Sequence, residues 1–237
     1  MDKLITIYHG SKQIIEAPAF GLGRINNDFG LGFYCTENID LAKEWAVSSL
    51  SNGFANRYTL DTEHLNILSL NSPDFTILNW IAVLVEHRLF KIKTPIARKA
   101  KQYLIEHFGI NVNAYDLITG YRADDSYFDF AEAFLNNTIT VEQLSRAMRL
   151  GKLGEQIAIK SRYAFTKIHF EGFEPVDKDV YYFLRKARDD KANQTDLDIL
   201  EDEQDGLYIQ DVIRGGITND DPRIPRNLPI SCTINAR

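Results

Sequence analysis

The chain has 237 residues, 44% hydrophobic and 25% charged, which excludes global disorder and suffices for one domain with its own core, without disulfides or metals. The formal net charge of −6 argues against a constitutive, non-specific binder of duplex DNA. No run of 18 apolar residues is present, so neither a transmembrane helix nor a membrane partner is expected.

The opening residues Met1-Asp2-Lys3-Leu4-Ile5-Thr6-Ile7-Tyr8 read as a strand and lack a signal peptide's apolar run and cleavage site. Cys35 and Cys232 are far apart and read as free thiols, so a cytoplasmic setting is expected. Residues 4–9 predict a buried strand ending at His9-Gly10-Ser11. A loop rich in turn residues follows, with Pro18, Gly21, Gly23, Asn26 and Asn27. Phe29-Gly30-Leu31-Gly32-Phe33-Tyr34-Cys35-Thr36 is a glycine-rich approach into a short strand. A helix is predicted at about 38–50, capped by Thr36 or Asn38, with Leu41, Ala42, Trp45, Ala46 and Ser49 inward. Two strands follow at 55–61 and 65–70.

The middle reads as helical. Ile77, Ile81, Leu84, Val85 and Leu89 recur at helical spacing, and a second helix opens at Pro95 and ends at Gly109. Asp116–Gly120 predicts a short strand or turn, and 125–136 a third helix. Thr140-Val141-Glu142-Gln143 is a capping box opening a fourth helix that runs to about 150. Strands are expected at 156–160 and 165–170. Residues 178–205 read as a charged helix, with six acidic residues between Asp196 and Asp205 that suit a solvated face.

No single motif decides the function. A lone histidine at a strand end, such as His9, ordinarily serves structure. Gly30-x-Gly32 is not a phosphate-binding Walker loop, because no Gly-Lys-Ser/Thr follows. Nor is it a Rossmann fingerprint, because the third glycine is missing. The five histidines are scattered and form no metal-ligand spacing, so no metal is expected.

The order of the pieces is more informative. Tyr8-His9-Gly10-Ser11 precedes Asn27-Asp28-Phe29-Gly30-Leu31-Gly32-Phe33-Tyr34, and then a helix bears Trp45, eleven residues after Tyr34. This series resembles the NAD-binding half of ADP-ribosyltransferases of the diphtheria-toxin and poly(ADP-ribose) polymerase branch. The branch continues with a glutamate at the start of a later strand, and Glu155-Gln156-Ile157-Ala158-Ile159 stands at the matching place. The chain is also similar to bacterial members of that clan with an Ala-Asp-Asp motif, here Ala123-Asp124-Asp125, some of which are encoded as toxins beside antitoxins.

The resemblance implies an α+β fold: a split, mostly antiparallel β core of about six strands, in one domain over 1–237. It implies a helical insertion at about 74–150 and an acidic extension at about 178–237. The implied activity is mono-ADP-ribosyl transfer from NAD to a macromolecular acceptor, with an antitoxin as a partner; the other reading is a cleft that binds NAD or ADP-ribose without chemistry, or an interaction protein. In such a site Tyr34 and Trp45 supply flat walls for the nicotinamide, and His9 meets a ribose hydroxyl. Gly10 offers its backbone N–H and C=O at close range. Ser11, Arg24 and Asn27 join the NAD side, Arg24 facing the pyrophosphate or adenosine. Ala42 stands where the branch often has a serine. Strand alternation lets only one of Glu155 and Gln156 face the cleft, and the family pattern favours Gln156. A glutamine there holds a hydroxyl but supplies no charge, so Asp124 or Asp125 becomes the candidate carboxylate for acceptor activation.

Overall fold

The strands fall into two sheets, one of long strands and one of short ones. The computed structural model describes residues 3–123, 125–150, 155–201 and 206–227, with side chains at all but 125–127, 148–150, 189 and 191–201 of these. The first sheet has the order β1 (Leu4–Ser11), β3 (Gly53–Asp61), β7 (Ile168–Val176), all antiparallel. The second has the order β2 (Phe33–Cys35), β6 (Glu155–Ile159), β5 (Leu117–Tyr121), β4 (Ile67–Ser69), with β4 and β5 its one parallel pair. The fold class is therefore α+β with largely antiparallel pairing.

Alternation along β1 sorts its side chains. Ile5 and Ile7 point to one face and pack with Tyr58 and Leu60 of β3 and with Cys35, Leu117, Ile157 and Ile159 of the second sheet. Tyr8 points the other way, against the helix α1 (Ile39–Ala46), in a small cluster with Ala42, Ala46 and Val47. The opposite face of the second sheet, with Ile118 and Ala158, is covered by the largest apolar cluster. That cluster includes α2 (Ile77–His87), α3 (Pro95–Phe108), α4 (Asp125–Leu135), α5 (Val141–Leu150) and α8 (Ile209–Arg214). Trp80 at its centre is fully buried and donates from its indole nitrogen to the Tyr121 carbonyl at 3.0 Å. Buried aromatics of this size are each worth roughly 1.5–3 kcal/mol.

Several local features follow from sequence. Asn38 caps α1, its side chain accepting from the amides of Asp40 and Leu41. The Thr140–Gln143 box forms as its spacing demands: the Thr140 amide donates to Gln143 Oε1 at 2.9 Å, and the Gln143 amide donates to Thr140 Oγ1 at 3.1 Å. Other expectations are corrected. The first helix stops at Ala46 instead of 50, because Ser48 and Ser51 pair backbone to backbone and turn the chain straight into β3. Within residues 74–150 the short strand expected at Asp116–Gly120 forms as β5, all five of its residues buried between β6 and β4. The strands among the described residues number seven. Residues 162–165 form a helical turn, α6 (Arg162–Phe165), capped by Ser161, so β7 begins only at Ile168. The long helix α7 (Lys178–Glu201) is tied to α1 by the Arg188–Glu44 ion pair at 2.8 Å. No described helix is long and apolar enough to cross a membrane.

Candidate functional site

The two sheets meet at one bridge and then part. Tyr8 donates to the Thr36 carbonyl at 2.7 Å, and Thr36 donates to the Tyr8 carbonyl at 3.0 Å. In an antiparallel ladder the next such pair lies two residues along each strand, which would be Gly10 with Tyr34. That pair does not form. The His9 imidazole takes its place, Nδ1 lying 2.7 Å from the Tyr34 carbonyl. A carbonyl only accepts, so Nδ1 carries the proton, and in the neutral ring Nε2 is left as an acceptor. Burial lowers the His9 pKa, against the opposing effect of the Tyr34 carbonyl, and so favours that neutral ring.

The substitution has a consequence for Gly10. Tyr8 directs its N–H and C=O to the β2 edge, and with a period of two Gly10 directs its own to the same edge, where β2 has parted from it. Only glycine can stand there. A Cβ on Gly10 would lie 1.9 Å from the Ala42 carbonyl and 2.7 Å from the Ala46 amide. The close approach of α1 to β1 thus rests on Gly10, and Ala42 is fully buried beneath it.

The opening continues into two adjoining cavities. The larger, about 950 Å³, is lined by His9, Gly10, Arg24, Asn27, Tyr34 and Trp45 among others. The smaller, about 260 Å³, shares Asn27, Tyr34, Trp45 and Arg122 with it and adds Asp28, Arg88, Ala123, Gln156 and Arg185. Tyr34 sits at the junction. Its hydroxyl donates to the Gly30 carbonyl at 2.7 Å and accepts from the Phe29 amide at 3.0 Å, closing the glycine-rich turn on itself. Gly30 takes φ +75°, open to glycine without strain. Burial first of all pushes the Tyr34 phenol well up, so it stays a donor. Trp45 carries the Arg122 guanidinium over its ring at 5.1 Å, and its buried indole N–H has no hydrogen-bond partner among the described residues.

The pairing of β2 with β6 decides which of two neighbouring residues enters. Tyr34 pairs with Ala158, and Gln156 lies two residues before Ala158 on the same face. Gln156 therefore joins Tyr34 at the smaller cavity, 4% exposed. Glu155 faces the other way, and Asn71 donates to its Oε1 at 2.5 Å. Behind Gln156 stands Asp28, also 4% exposed. Its Oδ2 accepts from Gln156 Nε2 at 2.7 Å and from the Ala123 amide at 2.8 Å, and its Oδ1 lies 3.3 Å from Arg88 Nη1. Burial raises the Asp28 pKa, while the Ala123 amide and Arg88 oppose that rise.

His9, Gly10, Arg24, Asn27, Tyr34, Trp45 and Gln156 are thus brought to one cleft. Ser11 is not in either lining: its hydroxyl donates to the Gln13 carbonyl and accepts from the Gln13 amide, in a turn whose Gln13 borders the larger cavity. Asp124 and the side chain of Asp125 lie outside the described residues. Sequence reasoning passed over Asp28, Arg88, Arg122 and Arg185. Asp28 carried a signal, an acid immediately before Phe29-Gly30; the arginines come from the end of α2, the residue after β5, and α7, and no local pattern links them.

Comparison with known proteins gives one result. The family described as "Protein of unknown function (DUF3990)" matches residues 5–170, a span from β1 into β7 that contains most of the cleft. No curated protein and no solved structure matches the chain. The chain belongs to the DUF3990 family.

Proposed function

We propose that this member of the DUF3990 family is an NAD-dependent mono-ADP-ribosyltransferase with an ADP-ribosyltransferase-type split core. The observation that carries the proposal is the parting of β1 from β2 at Gly10 and Tyr34, with His9 bonded to the Tyr34 carbonyl. The parting presents a backbone donor and acceptor, a neutral imidazole acceptor and an aromatic wall to one cavity. A planar carboxamide needs the first pair, a ribose hydroxyl the second, and a pyridinium ring the third.

In this reading Gly10 pairs with the nicotinamide carboxamide, Tyr34 lies along its ring, and His9 Nε2 accepts from a ribose hydroxyl. Gln156 Oε1 accepts from a hydroxyl of the ribose whose anomeric carbon reacts. The bond from that carbon to the pyridinium nitrogen breaks, nicotinamide leaves with the bonding pair, and the acceptor's nucleophile bonds to the carbon and gives up its proton to solvent water. The protein's contribution is positioning and electrostatics, because a charged leaving group becomes neutral as the bond breaks. The chemical class of acceptor, an antitoxin partner and the cellular setting extend the same reading.

The test is nicotinamide release from NAD together with mass spectrometry of a host lysate incubated with protein and NAD. An added ADP-ribose mass on a lysate component is the expected result. Gln156→Ala is expected to depress turnover strongly, while Glu155→Gln, which faces Asn71, leaves it nearly unchanged. A protein that binds no NAD at millimolar concentration contradicts the proposal. Saturable binding without any nicotinamide release favours the other reading, a binding module, which the uncharged residue at 156 makes specific.

A further inference from the structure

A glutamine in a catalytic cleft has two ends with opposite hydrogen-bonding character, and a free one presents either. At Gln156 the choice is made by its surroundings. Nε2 donates to Asp28 Oδ2 at 2.7 Å and to the Tyr121 carbonyl at 3.2 Å. Both partners only accept, so only the NH₂ end can face them, and both of its protons are used. The Tyr121 carbonyl is itself held by the indole of Trp80 at the centre of the core. Oε1 makes no hydrogen bond to any described residue, and Gln156 lines the cavity. The acceptor end is therefore the end offered to a ligand.

We propose that Asp28 is the positioning carboxylate of this cleft: it holds the Gln156 carboxamide by its N–H so that Oε1 faces the bound ribose as a fixed acceptor. The inference rests on the function proposed above and adds a residue to it. A carboxyl group, absent at position 156, sits one hydrogen bond behind it. Asp28 polarises the amide and raises the electron density at Oε1, as linked hydrogen bonds do in a buried site. Arg88 and the Ala123 amide keep Asp28 itself in place. The two residues are 128 apart in the chain, and β6 brings them together by pairing Gln156 with Gly120 beside Tyr121 and Ala123.

A double-mutant cycle tests the role, with nicotinamide release from NAD as readout and circular dichroism as a check on folding. Asp28→Asn keeps the size of the side chain and is used beside Asp28→Ala, in case the smaller residue leaves Arg88 buried without its partner. On the parent, removing the carboxylate is expected to lower kcat about tenfold or more with a smaller change in KM, the scale of a lost hydrogen bond to a charged group. On a Gln156→Ala background the same change is expected to cost less than about threefold, because the group it positions is gone. Equal losses on both backgrounds overturn the proposal, as does an unchanged kcat in a folded Asp28→Asn. A second arm does not need activity. The side-chain NH₂ protons of Gln156, observed by NMR, are expected as a slowly exchanging pair displaced from the positions of solvated glutamines, and the pair shifts in Asp28→Asn. A single pair at the positions of solvated glutamines, unmoved by that substitution, overturns the arrangement. A parent that releases no nicotinamide fails the function proposed above, and the NMR arm then decides the positioning alone.

Discussion

His9 and Gly10 divide one task between them: the His9 imidazole satisfies the Tyr34 carbonyl at 2.7 Å, and the Gly10 amide, which the ladder would have spent there, is released into the cleft. A side chain substituting for a backbone bond lets two sheets separate without leaving a buried carbonyl unpaired. The same exchange fixes the tautomer of His9. The opening of the cleft and the chemistry of its first residue therefore have one cause.

That cause makes stability depend on pH. Burial lowers the pKa of His9 and of His87 from the ordinary 6.5. Below pH 6.5 the unfolded chain takes up protons that the folded chain resists, so these groups withdraw stability as the pH falls from 6.5 to their lowered values. Burial raises the Asp28 carboxyl, which gives an opposite slope, so the comparison is between variants. The denaturant midpoint of His9→Gln is expected to fall less than the parent's between pH 7.5 and 5.5, about two pH steps around the histidine range. A steeper fall in the variant contradicts the neutral assignment.

Gly10→Ala is expected to cost about 1–3 kcal/mol of stability, the usual range for overpacking, since the new methyl meets backbone atoms of α1 that cannot rotate away. Urea unfolding followed by far-ultraviolet dichroism measures it. A variant as stable as the parent shows that α1 shifts freely, and NAD affinity then reads the role of the cleft edge without a folding defect.

Tyr34 separates a ring from a hydroxyl. Tyr34→Phe keeps the wall of the cavity and removes the bonds to the Gly30 carbonyl and the buried Phe29 amide, for an expected loss of about 1–2 kcal/mol in stability. Tyr34→Ala removes the wall, for an expected loss of about 1–3 kcal/mol in NAD binding. Calorimetric titration with NAD compares the two. Equal affinities in Tyr34→Ala and parent exclude a stack on this ring.

Lys160 follows β6, and its ammonium donates to the Phe29 carbonyl at 2.6 Å from a half-buried position. Burial lowers its pKa to about 8. Because the unfolded value is 10.5, the unfolded chain holds more protons between pH 8 and 10.5, and this group adds stability as the pH rises through that window. The rate of acylation at Lys160, read by peptide mass spectrometry, is expected to reach half its maximum near pH 8, against above 10 for ordinary exposed lysines. A midpoint shared with those lysines contradicts the burial effect.

Local rules were legible in the sequence wherever the cause was local. The 3.6-residue recurrence of Ile77, Ile81, Leu84 and Val85 marked α2, although Leu89, read into the same stripe, lies past the helix end at His87 and is exposed; Pro95 and Gly109 bounded α3, and Thr140 with Gln143 announced the cap of α5. The ordered motifs around His9, Tyr34 and Trp45 marked residues that do line one cleft. Ser11 shows the limit of such a motif, because its hydroxyl closes a turn with Gln13.

What only the tertiary structure decided were the relations between distant segments. The all-apolar run Ile157-Ala158-Ile159 has no polar alternation, so nothing within it marks the cleft face; the pairing of Ala158 with Tyr34 does. Asp28 and Gln156 lie 128 residues apart, and Arg88, Arg122 and Arg185 come from three elements with no shared period. Periodicity reports how a segment meets its nearest layer. Which residues then converge on one cavity depends on strand register and on where β1 parts from β2, and both are set by packing between sheets that the chain visits far apart in sequence.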